Sequence, residues 1–259
     1  MSALHVNDLA IFHGQKPLVN PLSFTLQETL GIIGESGSGK SLTCKAILGL
    51  LPRNLHAIGE VYFQGELLQE AALHTVRGRK IGYVTQDAMN AFDPLYRIGA
   101  QFHETLRAHG HPRHEAHAKT NQWLEWVGLP ISTARAYPHE LSGGMLQRAM
   151  IALALALEPH ILIADEPTSA LDTLSQYRVI ELLKQAKKET SMELIIVSHD
   201  LGVVRALAEE VLVMHQGQCV EQGTLSALFS TPTHPYTCHL VGLYHERTAP
   251  FLGESCDTH

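Results

Sequence analysis

Residues 34–41, Gly34-Glu35-Ser36-Gly37-Ser38-Gly39-Lys40-Ser41, decide how the rest of the chain is read. They match the pattern of a glycine, four free positions and a Gly-Lys-Ser triplet. A short apolar run, Leu30 to Ile33, precedes them, and Ser41 to Leu51 has helical spacing that stops at Pro52. In a strand, loop and helix of this kind, glycines let backbone N–H groups turn toward a phosphate, and the helix offers its positive N-terminal end to the same anion. Lys40 would reach the β- and γ-phosphates of a nucleotide, and the Ser41 hydroxyl would sit on Mg²⁺. A chance glycine-rich turn is the competing reading, and the flanking strand and helix count against it.

Such a loop needs a second strand carrying carboxylates to hold the metal. Ile161-Leu162-Ile163-Ala164-Asp165-Glu166 supplies a buried run with two acids at its C-terminal end, where doubly wound sheets put their ligands. Asp165 would hold Mg²⁺ through its water shell, and Glu166 would orient or deprotonate an attacking water. Read alone, the acids would as readily cap the turn ahead of Pro167. A third element, Leu141-Ser142-Gly143-Gly144-Met145-Leu146-Gln147-Arg148, places Ser-Gly-Gly at a helix start, with Ser142 able to cap and the glycines allowing close approach of an anion. One nucleotide in one chain does not need two such helix starts, which points to two chains sharing nucleotides.

Outward from these motifs, Leu4 to Ile11 and Leu22 to Leu26 read as strands, as do Val61 to Phe63 and Ile81 to Val84. Pro94 to about Glu140 has helix-compatible spacing and reads as an inserted helical block. After Leu141, apolar strands (Ile161 to Ala164, Leu194 to Val197, Val211 to Met214) alternate with helical patterns (Met145 to Leu157, Leu174 to Lys188), the signature of a largely parallel, doubly wound sheet. Thr231 to His259 shows no clear periodicity and reads as an extension.

The 259 residues suffice for one large α/β domain, and 45% hydrophobic with 17% charged residues excludes a disordered chain. A net charge of −7 argues against binding a nucleic-acid backbone. The longest stretch without Asp, Glu, Lys or Arg, Gln222 to His245, holds two prolines and three histidines and cannot span a bilayer. The start lacks a secretory pattern, so a cytosolic protein with free thiols at Cys44, Cys219, Cys238 and Cys256 is expected. Histidine is abundant at 17 residues, five of them between His103 and His117. His114 and His117 could share a helix face, and His234, Cys238 and His239 lie close in sequence, but no set of ligands with recognised spacing accompanies either group.

With these motifs in this order and spacing, the chain resembles the ATP-binding cassette ATPases over roughly Leu4 to Tyr236. The resemblance implies an α/β P-loop NTPase with a mostly parallel core sheet, an N-terminal antiparallel β subdomain and a helical insert at about 94–158. One cassette would fill residues 1–236, and residues 237–259 would be a C-terminal extension. It also implies ATP and Mg²⁺ as cofactors. The phosphate loop of one subunit would face Ser142, Gly143, Gly144 and Met145 of another. Gln86 would contact Mg²⁺ and couple to membrane subunits, Ser169-Ala170-Leu171-Asp172 would cross the dimer seam, and His199 would meet the γ-phosphate. Strand register makes His13 the adenine-stacking residue, whereas Phe12 is the better platform and is placed first.

Within the family, Asp93-Pro94-Leu95, Ile98-Gly99-Ala100-Gln101 and His234-Pro235-Tyr236-Thr237 look like the ATPases of peptide and nickel importers. Ser38 to Cys44 and Ser142 to Arg148 look like the nickel group. The expected partners are integral membrane permease subunits, a second related ATPase or a second copy, and indirectly an extracytoplasmic binding protein, at the cytoplasmic face of the membrane. The expected cargo is nickel or another metal chelate, with di- or oligopeptides as the alternative. Two other classes compete: a soluble family member in translation or DNA repair, disfavoured by the single cassette, and a metal-binding regulatory module built on His103 to His117. The chain departs from the family at Met145, which replaces a glutamine and cannot donate a hydrogen bond. It departs again at Thr25 to Leu30, which looks about two residues short against the family's hairpin and, lacking Gly or Asn, predicts an irregular turn.

Overall fold

The computed structural model describes residues 4–248. The chain opens with antiparallel β1 (Leu4–His13) and β2 (Lys16–Leu26), then β3 (Thr29–Ile33). Next come α1 (Lys40–Ile47), β4 (Leu55–Phe63), the short β5 (Glu66–Leu67), α2 (Glu70–Val76) and β6 (Ile81–Val84). A wholly helical stretch follows, with α3 (Ala88–Ala91), α4 (Ile98–Ala108), α5 (Arg113–Trp126), two 3₁₀ turns (Ile131–Arg135 and Pro138–Glu140) and α6 (Gly143–Leu155). Strands and helices then alternate as β7 (Ile161–Asp165), α7 (Thr173–Glu189), β8 (Glu193–Ser198), α8 (Leu201–Leu207) and β9 (Glu210–His215). The described chain closes with β10 (Gln218–Thr224), α9 (Leu225–Ser230) and α10 (Pro235–Thr248).

Six strands form the central sheet in the order β10-β9-β3-β8-β7-β6, parallel except for the β9–β10 pair. Every residue of β3 and β7 is buried, as expected where a parallel sheet is covered on both faces. Alternate side chains sort the two faces. Leu162, Ala164, Leu194, Ile196, Val211 and Val213 join the core beneath the helical stretch and α6 to α8. Ile161, Ile163, Ile195, Val197, Leu212 and Met214 join the core shared with α1 and the second, four-stranded sheet, β2-β1-β4-β5. Each of the Leu, Ile, Val and Met side chains contributes about 1.5 to 3 kcal/mol when fully buried, so the central sheet is held from both sides.

Register brings the C-terminal strand ends level. Ile33 of β3 pairs with Ser198 of β8, and Val197 pairs with Asp165 of β7. The loop after β3, His199 after β8 and the acids at the end of β7 therefore emerge side by side.

Two sequence expectations change. Thr25 to Leu30 is no hairpin: β2 lies in the antiparallel sheet and β3 in the central one, so Gln27-Glu28 crosses between sheets and needs no turn glycine. The Glu28 carbonyl already accepts the Leu194 amide at 2.9 Å, extending the β3–β8 ladder backward. The stretch from Thr231, which shows no clear periodicity in sequence, carries the helix α10 over Pro235–Thr248, across the expected boundary at 236/237. Residues 249–259, including Cys256, lie outside the described residues. Among the described residues, no helix is long and apolar enough to cross a membrane.

Candidate functional site

Gly39 stands immediately before α1 with φ of 104°, a conformation open to glycine, and a Cβ there would lie 2.7 Å from the Val19 methyl. α1 has no side-chain cap and no acid in its first turn, which leaves its N-terminal amides for an anion. The Ser38 hydroxyl is buried without a hydrogen-bond partner, an orphan that a phosphate oxygen would satisfy. Lys40 is buried, its ammonium donating to the carbonyls of Gly34 (2.7 Å) and Glu35 (2.8 Å). Burial pushes its pKa below the ordinary lysine value, and the nearby charges of Glu166 and Asp165 oppose that shift.

Asp165 is fixed by two hydroxyls. Ser41 donates to its Oδ1 at 2.8 Å and Tyr83 to its Oδ2 at 2.8 Å. Burial, then the Asp165 charge and the hydrogen bond, push the Tyr83 phenol far above its usual range, so it stays a donor. Ser41 and Asp165 together are a hard-oxygen pair of the kind Mg²⁺ takes. Glu166 follows at φ of 50° and is 8% exposed, with its amide donating to the Val197 carbonyl at 2.9 Å. His199 places Nδ1 2.8 Å from Glu166 Oε2.

Lys40, Ser41, Glu166 and His199 line one cleft of about 550 Å³ together with Gln86 and the loop residues Gly34 to Gly37 and Gly39, while Asp165 stands behind its wall on the Ser41 hydroxyl. Residues of α10, including His239, Leu243 and Arg247, line it too. Phe12, His13, Ser142 to Met145 and Asp172 do not. The second group forms its own patch: Ser142 caps α6 by accepting the Met145 amide at 3.3 Å, and Asp172 caps α7 by accepting the Ser175 amide at 3.0 Å. Ser175 also lies where a Cβ on Gly144 would stand, so the two helix starts touch. Met145 is half-buried and packs against the core beneath α6. Phe12 stacks on His56 at 5.5 Å.

The histidines disperse. His117 meets His103 across α4 and α5 with ring centroids 5.1 Å apart, rather than pairing with His114. His109 bonds the Thr105 carbonyl and His111 bonds Glu115. His234 accepts the Tyr236 amide, and Cys238 donates to the Pro232 carbonyl. Among the described residues, no group of three or more His, Cys, Asp or Glu side chains could hold a metal ion.

Tyr83 and the α10 wall were not legible as site components. The only signal was the motif His234 to Thr237, which carried a likeness and no role.

A nucleotide-sized cleft at the ends of parallel strands, with a phosphate loop, two acids and a histidine, defines a P-loop nucleoside triphosphatase cassette. Residues 19–169 match the family described as ABC transporter. The chain is 46% identical over 234 residues to the metal-staphylopine import system ATP-binding protein CntD of Staphylococcus aureus, covering 87% of this chain and 86% of that one. It is 43% identical over 252 residues to the oligopeptide transport ATP-binding protein OppD of Bacillus subtilis, covering 92% and 70%. Among solved structures, a dimeric bacterial ABC transporter cassette superposes with a TM-score of 0.76 at 28% identity, covering 86% of this chain and 98% of that one. The cassette cbiO1 of Clostridium perfringens, part of the ABC transporter complex cbiONQ, shares the fold at a TM-score of 0.78 and 24% identity, covering 97% of this chain and 98% of that one. The chain belongs to the ABC transporter family, and it is an ATPase of that family.

Proposed function

We propose that this ATPase powers an importer whose cargo is a metal chelate, nickel complexes included, with di- or oligopeptides as the second reading. The observation that carries the motor assignment is the convergence of Lys40, Ser41, Glu166 and His199 on one cleft, with Asp165 bonded to Ser41 at its wall. The likeness to a metal-staphylopine import ATPase favours a chelate, and that to OppD keeps the peptide reading.

The nucleotide phosphates occupy the loop amides, with the Ser38 hydroxyl and the Lys40 ammonium as further donors. Ser41, Asp165 and Gln86 hold Mg²⁺, which when bound offsets phosphate charge and orients the terminal phosphoryl group. Glu166 holds and deprotonates the attacking water, and His199 keeps the carboxylate oriented and meets the γ-phosphate. Adenine rests on Phe12, or on His13 beside it. Their neighbour Ile11 pairs with Val19, which packs on Gly39, so this strand end stands near the loop. Ser142, Gly143, Gly144 and Met145 act on a partner's nucleotide, with Asp172 at the seam. The partner is a second copy or a related ATPase. Permease subunits in the membrane supply the channel at its cytoplasmic face, and an extracytoplasmic binding protein delivers cargo.

The test is ATPase stimulation of the reconstituted complex by binding protein loaded with metal chelate or with peptide. Stimulation by the chelate is expected, and stimulation by peptide alone refutes the chelate reading.

A further inference from the structure

One amide of the phosphate loop is taken by a residue far outside it. The Glu35 N–H donates to the Tyr236 hydroxyl at 2.9 Å, across 201 positions of sequence. The carbonyl of the same residue accepts Lys40 Nζ at 2.8 Å, so Glu35 is gripped on both sides. If Lys40 swings toward a phosphate, the Tyr236 bond still ties Glu35 to the rest of the fold, beside the loop's own Ser38 amide to Glu35 carbonyl bond at 3.2 Å.

Tyr236 is itself immobilised. It is 9% exposed, and its ring stacks on His215, with centroids 4.1 Å apart and planes at 29°. His215 ends β9, next to the Met214 carbonyl that abuts Gly34. The segment leading to Tyr236 is pinned to β10 by Glu221. One carboxylate oxygen accepts the Thr233 amide (2.8 Å) and hydroxyl (3.0 Å), and the other accepts the His234 amide at 3.0 Å. His234 Nδ1 then accepts the Tyr236 amide at 3.2 Å. Further along α10, Tyr244 is held to α8 by Arg205, whose guanidinium donates to its hydroxyl at 2.9 Å.

A loop that binds phosphate through aligned amides loses affinity when its backbone must be ordered at the moment of binding. We propose that Tyr236 is a positioning residue for ATP: delivered by the Glu221 pin and the His215 stack, its hydroxyl holds the Glu35 amide and keeps the phosphate loop in its binding shape. The inference rests on reading Gly34 to Ser41 as the ATP phosphate site.

Tyr236→Phe keeps the ring on His215 and deletes the hydroxyl. In the full chain, titrated with a fluorescent ATP analogue, its Kd rises about five- to ten-fold; at steady state KM for ATP rises in step, and kcat changes less than about two-fold. Glu221→Gln, which loosens the pin, raises Kd in the same direction by about two- to four-fold. The double variant falls short of the product of the two effects, because both act through one hydroxyl. A Kd for Tyr236→Phe within about 1.5-fold of the parent overturns the proposal, as does a fall in kcat with KM unchanged. Lys40→Ala separates the two readings. Loss of analogue binding in it beside an unchanged Tyr236→Phe removes only the role of Tyr236, whereas retained binding removes the loop reading and the proposal with it.

Discussion

Asp165 shows how finely a single side chain is set. Each of its oxygens has a hydroxyl donor, Ser41 on one and Tyr83 on the other. A carboxylate held by one donor can rotate, and one held by two presents a fixed edge to a cation. Tyr83→Phe is therefore expected to raise the Mg²⁺ concentration for half-maximal ATPase activity about three- to ten-fold while the fold is kept, a change that a Mg²⁺ titration at saturating ATP reads directly. Because burial and Asp165 keep the phenol protonated, the effect should be the same at neutral and mildly alkaline pH. An unchanged Mg²⁺ dependence removes Tyr83 from the site. At this scale, legibility followed chemistry. Lys40, Ser41, Asp165 and Glu166 were readable as one cluster because their types and local spacing fit a phosphate loop facing a carboxylate strand. Tyr83 and Tyr236 were not, because a phenol in a strand or a helix start is ordinary until the fold chooses its partner.

Elements were legible where a local pattern repeats and obscure where tertiary contacts decide. β3, β7 and β8 announce themselves as short apolar runs, but α10 has little amphipathic pattern and exists through its anchors on Tyr236 and Tyr244. The irregular turn expected at Gln27-Glu28 is a bend, but that it carries the chain from one sheet to the other, rather than closing the family's hairpin, only sheet membership shows. Contact between the starts of α6 and α7 was also invisible. A methyl on Gly144 would stand 2.6 Å from Ser175 Oγ, whose hydroxyl donates to Asp172 at 2.7 Å. Gly144→Ala is expected to cost about 1 to 3 kcal/mol in denaturant unfolding, as overpacking does, and Ser175→Gly in the same chain should recover most of it. A neutral Gly144→Ala would deny the contact. Between α4 and α5, burial, then His117 and Arg113, lower the pKa of His103 from 6.5. A histidine with a depressed folded pKa contributes stability that is full above about 6.5 and lost as pH falls through the lower folded value. The parent chain should therefore lose more thermal stability than His103→Gln between neutral pH and mildly acidic pH. Equal losses in the two would show that the pair does not titrate with folding.

For the molecule as a whole, the decisive fact is that one chain carries two anion-ready helix starts that do not share a cleft. The phosphate loop faces Glu166 and His199, whereas Ser142 to Met145 stand with Asp172 and Ser175 on a patch of their own. Catalysis by a lone chain would leave that second patch without a ligand, and a solved relative of the same fold is dimeric. Two chains placed head to tail would give each nucleotide a loop from one and a patch from the other. On the proposed roles such a pair would be held closed by ATP and opened by hydrolysis, so blocking Glu166 should trap it. Glu166→Gln is expected to bind ATP as the parent does, to lose at least about 100-fold in turnover, and to run at twice the chain mass in size exclusion with light scattering when Mg²⁺ and ATP are present. Adding Ser142→Arg places a bulky cation on the patch and should return the ATP-bound chain to single mass. A Glu166→Gln chain that binds ATP and stays single would refute pairing with itself and transfer the second patch to a different ATPase subunit. Undiminished turnover would remove Glu166 as the base.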